Sequence, residues 1–261
     1  MSLAVAGTGA FGANVFRRLA TRVPVEYLLS RPDRPKGRGQ RLAPPPAKEV
    51  AIDLGIPVRQ PERLAGFPLG VNAVVLVDYG ALIPSELLEQ ALWLNVHPSL
   101  LPRWRGAAPV ERAIMAGDSE TGVSVIRLVE ELDAGPVGAS QSFPIGSDDD
   151  AGSVYDRAAT IAPKLVERVL ERRQFEPQQG ETSYAEKIGP ADRELDWSRP
   201  PEELHNRIRA LSPHIGARGE LHGRPVIVWR SRLANGQLEI VEVQPDGRPR
   251  MSLADFERGL R

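Results

Sequence analysis

An amide and an imidazole stand two residues apart at the end of a short apolar run, LWLNVH. They are Asn95 and His97, and His97 is the only histidine before residue 200. On a β-strand, residues two apart point to the same side. An amide N–H can donate to a developing oxyanion, and an imidazole can move a proton near neutral pH. The spacing alone fits such a site and a hydrogen-bonded core pair equally well.

A carboxylate is the partner that this pair lacks, since the imidazole needs a group that orients it or sets its charge. Asp133, in ELDAGPV, follows the next predicted strand and is the candidate. In open α/β sheets, ligands bind outside the carboxyl ends of the strands. We expect all three side chains to lie there.

A glycine motif follows the first apolar run of the chain, LAVAG. Gly7, Gly9 and Gly12 form G-x-G-x-x-G between a predicted strand and a predicted helix, which is the context of a dinucleotide-binding turn. That function also needs an acidic residue at the end of the next strand, and here the strand ends in LSR (29–31). Tight turning and close helix packing explain the same glycines, so an NAD-dependent oxidoreductase stays as an alternative.

A concentrated basic segment, RPDRPKGRGQRLAPPPAK (31–48), follows the second predicted strand. It holds five cations within eleven residues, on a chain whose formal net charge is −1. Such a cluster could meet several phosphates, which is the origin of sequence-independent affinity for nucleic acid. A solvated surface loop would have the same composition. The five cations are Arg31, Arg34, Lys36, Arg38 and Arg41.

Strands and helices alternate through the first two-thirds of the chain. This order predicts an α/β fold with an open, mostly parallel, Rossmann-like sheet and helices on both faces. VNAVVLVDYG (71–80) is the most apolar strand and is predicted to be central. Helical spacing continues over 153–173, where Ser153 and Asp156 resemble a capping box and Pro163 predicts a kink or a break.

The sequence pattern changes after QFEPQQGETS (174–183), a polar segment rich in turn-forming residues. We predict a catalytic domain over 1–178, a linker over 179–192 and a small β-rich domain over 193–261. The last contains a helix, PEELHNRIRAL, two β-like runs joined by the hairpin signal ANGQ, and a final helix, SLADFERGL. A core of about 70 residues is marginal alone, so this domain is expected to depend on the first.

Composition excludes several classes of protein. Apolar residues make up 41% of the 261 residues, which is typical of a globular protein. Cysteine is absent, which excludes disulfides, a thiolate nucleophile and Cys-ligated metal, and fits a reducing cytoplasm. No run of 18 apolar residues exists, so no membrane span is expected. The N-terminus lacks a basic region followed by an uninterrupted apolar stretch, so no signal peptide is expected. We also expect no metal site, no obligatory protein partner and a monomer.

Two blocks of sequence carry a resemblance. NVHPSLLPRWRGAAP and AGDSETGVSVIRLVEELDAGPV closely resemble the formyltransferases that use 10-formyltetrahydrofolate. The motifs are Asn95-x-His97, then Ser99 to Pro102, then Leu132 to Gly135. The similarity covers nearly the whole chain. It implies a catalytic α/β domain followed by a small β-barrel-like domain of OB type.

The resemblance also implies a reaction. An amine attacks the formyl carbon of 10-formyltetrahydrofolate, and tetrahydrofolate leaves from a tetrahedral intermediate without help from a metal. Asn95 and His97 would stabilise the oxyanion, and His97 would protonate the leaving nitrogen. Asp133 would set the protonation state of His97 and order a water. The residues expected to contact folate are Ser99, Leu100, Leu101, Pro102, Asp78, Tyr79, Gly80 and Ile83.

Two further segments resemble the branch of that family that acts on initiator methionyl-tRNA. They are PDRPKGRGQRL (32–42) and SYAEKI followed by DW (183–188 and 196–197). In this branch the basic loop enters the major groove of the acceptor stem, and the small domain supports the tRNA through basic side chains. The implied tRNA contacts are Arg34, Lys36, Arg38 and Arg41 in the loop, and Arg207, Arg209, Arg218, Arg224, Arg230 and Arg232 in the small domain.

The chain departs from the family pattern at three places. Its first turn is GTGAFG, where the family usually has a proline after the threonine. Asp78 replaces a small residue that commonly precedes Tyr-Gly, which puts an extra carboxylate beside the predicted folate site. The small domain is shortened between Arg232 and Gln237, so its barrel is expected to be incomplete.

Other functions fit the residues less well. Sugar-nucleotide N-formyltransferases and glycinamide ribonucleotide formyltransferase use the same three catalytic residues but as a rule lack the basic GRG loop. An oxidoreductase built on GTGAFG would leave Asn95, His97 and Asp133 unexplained, and a non-catalytic RNA-binding protein would not need them. The sequence therefore favours formyl transfer to the α-amine of methionyl initiator tRNA, with a sugar-nucleotide amine as the second acceptor.

Overall fold

The computed structural model describes residues 2–36 and 40–260, which divide into two compact units. The first comprises the chain up to residue 105 together with 122–142 and 156–183, and the second comprises 106–121, 143–155 and the chain from 184 onward. Both units are built from discontinuous segments. The predicted continuous domains, 1–178 and 193–261 with a linker over 179–192, stay a prediction.

A seven-stranded sheet carries the first unit. The strands before residue 190 are β1 (Leu3–Gly7), β2 (Tyr27–Leu29), β3 (Arg34–Lys36), β4 (Arg41–Ala43), β5 (Val58–Arg59), β6 (Ala73–Val77), β7 (Leu92–His97), β8 (Arg105–Gly106), β9 (Glu120–Arg127), β10 (Val137–Pro144) and β11 (Tyr184–Ala185). The order in the sheet is β10-β9-β7-β6-β1-β2-β5. β3 pairs with β4, and β8 pairs with β11.

β6 lies in the middle of this sheet, as its apolar sequence predicts. It pairs in parallel with β1 and with β7, and four of its five residues are buried. A strand that is buried on both faces has to be apolar along its length. β7 runs antiparallel to β9, so the sheet is mostly parallel, and the predicted fold class is confirmed.

The sequence does not predict β10, which lies at one edge of the sheet. Its residues, VGASQSFP, are small and polar and lack a run of β-branched or aromatic side chains. Pairing with β9 stabilises it despite this low strand propensity, since β-propensity depends strongly on context.

Helices connect the strands. They are α1 (Ala10–Ala20), α2 (Pro46–Asp53), α3 (Ser85–Gln90), α4 (Pro109–Met115) and α5 (Ala151–Arg172). Proline stands in the first turn of α2 and of α4, where its missing N–H costs nothing. Gly55 and Gly117, with φ of 66° and 75°, follow the ends of these two helices, where a left-handed residue is commonly glycine.

α5 corrects two expectations. The helix is continuous through Pro163, so it does not break there. It begins at Ala151, so Ser153 lies inside its first turn and does not start a capping box. Asp150 caps the helix, because its Oδ1 accepts a hydrogen bond of 2.8 Å from the backbone N–H of Ser153.

An antiparallel sheet and the helix α6 (Pro201–Leu211) form the core of the second unit. The sheet order is β12 (Ala217–Leu221), β13 (Arg224–Ala234), β14 (Gln237–Pro245) and β15 (Met251–Ser252), and α7 (Leu253–Arg258) follows. The predicted hairpin is confirmed, with φ of 53° at Asn235 and 75° at Gly236. In the described part of the chain the four strands keep their sequence order and form an open sheet, as expected of a shortened barrel.

Candidate active site

The structure brings the three predicted catalytic side chains together at the carboxyl end of β7. Asn95 Nδ2 donates a hydrogen bond of 3.0 Å to Asp133 Oδ1, and Asp133 Oδ2 lies 3.6 Å from His97 Nδ1. Asn95, His97 and Asp133 are 6%, 5% and 7% exposed. One buried carboxylate therefore links the amide to the imidazole, which is the arrangement that the sequence predicts for a catalytic group.

Trp104 engages the other nitrogen of His97. The Nε2 atom of His97 lies 2.8 Å from the carbonyl oxygen of Trp104, whose φ is 62°. Because a carbonyl oxygen can only accept, we assign the proton of this contact to Nε2. Nδ1 is then the nitrogen that faces Asp133 and that can exchange a proton with a substrate. The sequence does not predict this contact, because Trp104 makes it through its backbone.

A tight turn presents the Asp133 carboxylate. Asp133 has a φ of 50°, in the left-handed region that residues with a side chain seldom adopt. At Gly135, an added Cβ would lie 1.7 Å from the carbonyl oxygen of Arg127, so the position requires glycine. The Leu-Asp-x-Gly motif thus has a structural reason: the turn packs against the end of β9 only when its last residue lacks a side chain.

Gln178 contacts this turn from the segment that the sequence marks as polar and turn-rich. Its Nε2 donates to the backbone carbonyl oxygens of Asp133 (2.7 Å) and Gly135 (2.8 Å). Arg105 donates to Gln178 Oε1 through Nε (3.1 Å) and Nη2 (2.7 Å). Sequence reasoning misses both side chains, because a polar run does not show which of its members contacts a distant turn.

The turn after β7, Ser99–Pro102, is held by its own hydrogen bonds. The buried Ser99 hydroxyl donates to the carbonyl oxygen of Arg103 at 2.7 Å. Ser124 Oγ donates to the carbonyl oxygen of Ser99 at 2.8 Å and accepts from the N–H of Leu101 at 3.1 Å. These contacts fix the turn beside His97. The folate contacts of Ser99, Leu100, Leu101 and Pro102 stay a prediction.

Asp78 lies directly after β6 and faces the first turn of α1. A Cβ at Gly9 would lie 1.8 Å from Asp78 Oδ2, and a Cβ at Gly12 would lie 2.5 Å from the Val77 carbonyl oxygen. Close packing therefore accounts for two of the three glycines of the G-x-G-x-x-G motif, Gly9 and Gly12. The Asp78 carboxylate also sits where a dinucleotide phosphate would approach the helix N-terminus, which removes the support for an NAD site.

The electrostatics of Asp78 are unusual. Withdrawal of its carboxylate from water raises the pKa of Asp78 to about 6, against the lowering effect of hydrogen bonds from the backbone N–H groups of Gly12 and Phe11. The residue as a whole is nevertheless exposed. The carboxylate therefore packs against the helix on one side and is accessible on the other.

A pocket of about 410 Å³ lies between the loop after β6 and the start of the basic segment. Asp78, Tyr79 and Gly80 line it together with Arg31 and Arg34. Arg31 Nη1 donates to the carbonyl oxygen of Gly80 at 2.7 Å, which ties the two loops together. The predicted folate loop and the predicted tRNA loop thus share one cavity of the first unit.

The basic segment forms a β-hairpin, in which β3 runs antiparallel to β4 and Lys36 is opposite Arg41. Arg34 and Arg41 are exposed, and Leu42 is 72% exposed. Arg38 lies outside the described residues. The tRNA contacts of Arg34, Lys36, Arg38 and Arg41 stay a prediction.

The predicted basic surface of the second unit needs correction, because several of its arginines are engaged within the protein. Arg209 is 8% exposed and donates to two backbone carbonyl oxygens of the loop before α5, at 3.1 and 2.9 Å. Arg207 also donates to two backbone carbonyl oxygens, each at 3.2 Å. Arg232 pairs with Glu239 across the β13–β14 hairpin at 2.6 Å. Of the predicted set, Arg218, Arg224, Arg230 and Arg232 are exposed, and the Arg232–Glu239 pair itself lies at the surface.

The remaining buried histidine of the described residues has a structural role. His205 is buried, and its ring nitrogens lie 2.9 Å from Ser231 Oγ and 3.0 Å from the Ser147 carbonyl oxygen. Within residues 2–36 and 40–260, no three His, Asp or Glu side chains group as metal ligands. No helix in the same ranges combines the length and apolar character that crossing a membrane requires.

Comparison with known proteins identifies the family. The profile described as Formyl transferase matches residues 1–170, and the profile described as Formyl transferase, C-terminal domain, matches residues 187–237. The chain therefore belongs to the formyl transferase family. The C-terminal match ends at the turn between β13 and β14, where the sequence predicts a shortened domain.

Curated relatives extend the match over nearly the whole chain. A protein of Paracoccus denitrificans (strain Pd 1222), named methionyl-tRNA formyltransferase, is 39% identical over 97% of this chain and 96% of its own length. A protein of the same name from Methylococcus capsulatus (strain ATCC 33009 / NCIMB 11132 / Bath) is 37% identical over 98% of this chain and 96% of its own length. At this coverage both alignments include the cluster of Asn95, His97 and Asp133 and most of the second unit.

Solved structures share the fold at lower identity. Methionyl-tRNA formyltransferase from Clostridium thermocellum has a TM-score of 0.70 at 16% identity, over 94% of this chain and 98% of that one. HypX from Aquifex aeolicus, in complex with tetrahydrofolic acid, has a TM-score of 0.68 at 18% identity. The match covers 98% of this chain but 46% of HypX, so this chain spans about half of that protein. At these identities the likeness shows the fold alone.

Proposed function

We propose that this protein transfers the formyl group of 10-formyltetrahydrofolate, its co-substrate, to the α-amine of methionine on initiator tRNA. The observation that carries the proposal is the buried contact of Asn95, Asp133 and His97 at the end of β7. Eight curated relatives at 36–39% identity all have the name methionyl-tRNA formyltransferase, which supports the choice of acceptor.

Attack of the neutral α-amine on the formyl carbon forms a C–N bond and turns the carbonyl oxygen into an oxyanion. One N–H of Asn95 and the Nε2 of His97 are already hydrogen-bonded. The second N–H of Asn95 and a protonated Nδ1 of His97 are therefore the donors for the oxyanion. One such donor contributes about 2.7 to 4 kcal/mol to stabilising the transition state.

Collapse of the tetrahedral intermediate breaks the bond between the formyl carbon and N10 of the folate. The electron pair stays on N10, and His97 delivers a proton to it. The proton that the attacking amine loses passes through an ordered water to Asp133, which then returns a proton to His97. Acid–base catalysis of this kind contributes about 10²- to 10⁴-fold to the rate.

The formyl donor is proposed to contact the two loops that flank the cluster. One follows β6 and includes Asp78, Tyr79, Gly80 and Ile83, and the other is Ser99–Pro102 after β7. Both follow the carboxyl ends of neighbouring parallel strands, where α/β sheets bind ligands. Because the Ser99 hydroxyl is bonded inside its turn, the contacts proposed there fall mainly to backbone groups.

The acceptor stem is proposed to meet the hairpin β3–β4 through Arg34, Lys36, Arg38 and Arg41. Basic side chains bind phosphates without reading the base sequence, which suits an RNA duplex whose deep major groove hides its bases. The proposal assigns the reaction to the cytoplasm and requires no second protein chain.

A formylation assay with several acceptors tests the proposal. The purified protein is given 10-formyltetrahydrofolate with methionyl initiator tRNA, with uncharged initiator tRNA, or with an amino-sugar nucleotide. We expect N-formylmethionyl-tRNA from the first mixture and no formylated product from the others. Formylation of the amino-sugar nucleotide in preference to the charged tRNA would establish the second acceptor in its place.

A further inference from the structure

We infer that Gln178, oriented by Arg105, is a positioning residue that keeps the Asp133 carboxylate in contact with His97 and Asn95. Its kinetic consequence rests on the proposed formyl transfer, whereas its geometry stands on the contacts alone. The sequence gives no reason to single out Gln178, and its role emerges only from the turn that it contacts.

The amide of Gln178 is fully used at this turn. It has two N–H bonds, and they have two acceptors, the carbonyl oxygens of Asp133 and Gly135 at 2.7 and 2.8 Å. The same turn holds Asp133 at a φ of 50°, a conformation that persists only where surrounding contacts determine it. Gln178 therefore holds both ends of the segment that aims the carboxylate.

Arg105 decides which way the amide of Gln178 points. Arginine has only donors, and two of its nitrogens approach one side of the amide, at 3.1 and 2.7 Å. That side must be the oxygen, so the NH₂ group must face the two carbonyl groups. Arg105 Nη1 also lies 3.3 Å from Glu131, on the loop that leads to Asp133.

One stretch of chain, residues 104–105, thus supports both members of the imidazole–carboxylate pair, His97 by direct contact and Asp133 through Gln178. The carbonyl oxygen of Trp104 engages His97 Nε2 at 2.8 Å, and the side chain of Arg105 holds the turn through Gln178. Ser183 anchors this stretch, because its Oγ accepts from the N–H of Trp104 at 3.0 Å and its carbonyl oxygen accepts from the N–H of Arg105 at 2.9 Å. The relative position of His97 and Asp133 is set by this shared support.

Two substitutions at Gln178 separate hydrogen bonding from packing. Gln178→Met keeps the length of the side chain and loses every hydrogen bond. Gln178→Glu keeps an oxygen for Arg105 but turns a second oxygen towards the two carbonyl groups, which repels the turn. The matched control is Gln179→Met, because Gln179 is the neighbouring glutamine and is exposed.

For both Gln178 variants we expect kcat to fall by roughly ten- to a hundredfold, as misplacing a reacting group by about 1 Å does. KM for 10-formyltetrahydrofolate and for charged tRNA should stay within about twofold, and the control should match the wild type. Gln178→Glu should be the more damaged variant. A wild-type kcat in both variants, or a loss of kcat that only follows the folded fraction measured by circular dichroism, would overturn the inference.

A double-mutant cycle tests the role of Arg105. Arg105→Lys keeps the charge but loses the fork that holds Gln178 Oε1. If Arg105 acts through Gln178, the effects of Arg105→Lys and Gln178→Met on kcat should be strongly non-additive. Independent effects that multiply would contradict this part of the inference.

A spectroscopic measurement keeps the test independent of activity. The ¹⁵N resonances of the His97 ring report its contacts with Asp133 and Trp104. We expect them to shift in Gln178→Met but not in Gln179→Met, even if the wild-type protein formylates no charged tRNA. His97 resonances that stay unchanged in Gln178→Met would contradict the inference. An inactive wild-type protein would contradict the proposed function only.

Discussion

The catalytic cluster and the basic hairpin lie in the same unit, yet their side chains are held in opposite ways. Asn95, His97 and Asp133 are at most 7% exposed, and each contacts another member or the backbone. In the hairpin, Arg34 and Arg41 point into solvent. Bond-making chemistry needs atoms fixed to a fraction of an ångström, whereas contact with phosphates tolerates mobile cations that become ordered on binding.

This difference predicts which kinetic parameter each substitution should change. A change in the cluster removes groups that are arranged before the substrates arrive, so it should lower kcat. A change in the hairpin removes part of the surface that is proposed to meet the large acceptor, so it should raise KM for tRNA and alter its salt dependence.

Removal of any one cluster side chain should have the largest effect. Asn95→Ala, His97→Ala and Asp133→Ala should each lower kcat by about 10²- to 10⁴-fold, because each removes an oxyanion donor or a proton-transfer group. Steady-state formylation of charged tRNA measures the loss, and thermal unfolding shows whether the fold survives. Near wild-type activity in all three folded variants would contradict the assignment.

Gly135→Ala should displace the Asp133 carboxylate, although it changes none of the three side chains of the cluster. The added Cβ would lie 1.7 Å from the Arg127 carbonyl oxygen, so the turn that carries Asp133 must move. We expect the free energy of unfolding to fall by about 1 to 3 kcal/mol and kcat to fall by roughly tenfold or more. Urea unfolding and the formylation assay measure the two effects.

The control for this variant is Gly189→Ala, since a Cβ there would approach no atom closer than 3.7 Å. Its free energy of unfolding should change by no more than about 0.5 kcal/mol. Equal effects at Gly135 and Gly189 would show that the steric argument for the turn is wrong.

Arg34→Ala and Arg41→Ala should have a moderate effect on the use of the acceptor. KM for charged tRNA should rise roughly three- to tenfold, and the slope of log KM against log salt should decrease by about one for each lost phosphate contact. KM for 10-formyltetrahydrofolate should not change for Arg41→Ala. The control is Arg168→Ala, an exposed arginine on α5; an equal response there would mean that net charge, and not the hairpin, controls binding.

Asp78 should give the smallest effect, seen in the pH dependence of stability. Its pKa is raised to about 6, so between about pH 4 and pH 6 the folded protein keeps a proton that the unfolded chain has lost. Its contribution should therefore lower the free energy of unfolding as pH rises through this window and level off above it. Solvent screening keeps the change small, since the residue is exposed.

Asp78→Asn cannot ionise and should lack this fall in stability. Urea unfolding of the wild type and the variant between about pH 4 and pH 7 isolates the contribution of Asp78, because the other carboxylates are common to both. Parallel curves over the whole range would show that the carboxylate is not withheld from water.

Local sequence patterns predict much of this fold. The apolar run of β6, the hairpin signal at Asn235–Gly236 and the helix at Pro201–Leu211 all form where their composition indicates. Their structure depends on neighbours along the chain or on burial along the whole strand. β10 and the Asp150 cap were not predictable in this way, because pairing at a sheet edge and the exact first turn of a helix depend on contacts that composition does not encode.

The residues of the candidate site also fall into a group that the sequence predicts and a group that it does not. Asn95, His97 and Asp133 can be predicted because amide, imidazole and carboxylate groups are typical catalytic groups and because the first two lie at the end of the same strand. Trp104 and Gln178 cannot, since one acts through its carbonyl oxygen and the other is a glutamine in a polar segment, 45 residues from its partner Asp133. The arginines of the second unit show the opposite problem. Their number in the sequence predicts a basic surface, whereas in the structure Arg207 and Arg209 donate to backbone carbonyl oxygens within the protein.

A single-turnover experiment measures directly whether Asn95, His97 and Asp133 carry out the formyl transfer. Enzyme in excess over charged initiator tRNA is mixed with 10-formyltetrahydrofolate that is labelled in its formyl group, and the label on the methionine α-amine is followed in time. The wild type should transfer one label per charged tRNA, and the triple variant Asn95→Ala, His97→Ala, Asp133→Ala should transfer none on that timescale. Transfer by the folded triple variant at the wild-type rate would show that these three side chains do not catalyse the reaction.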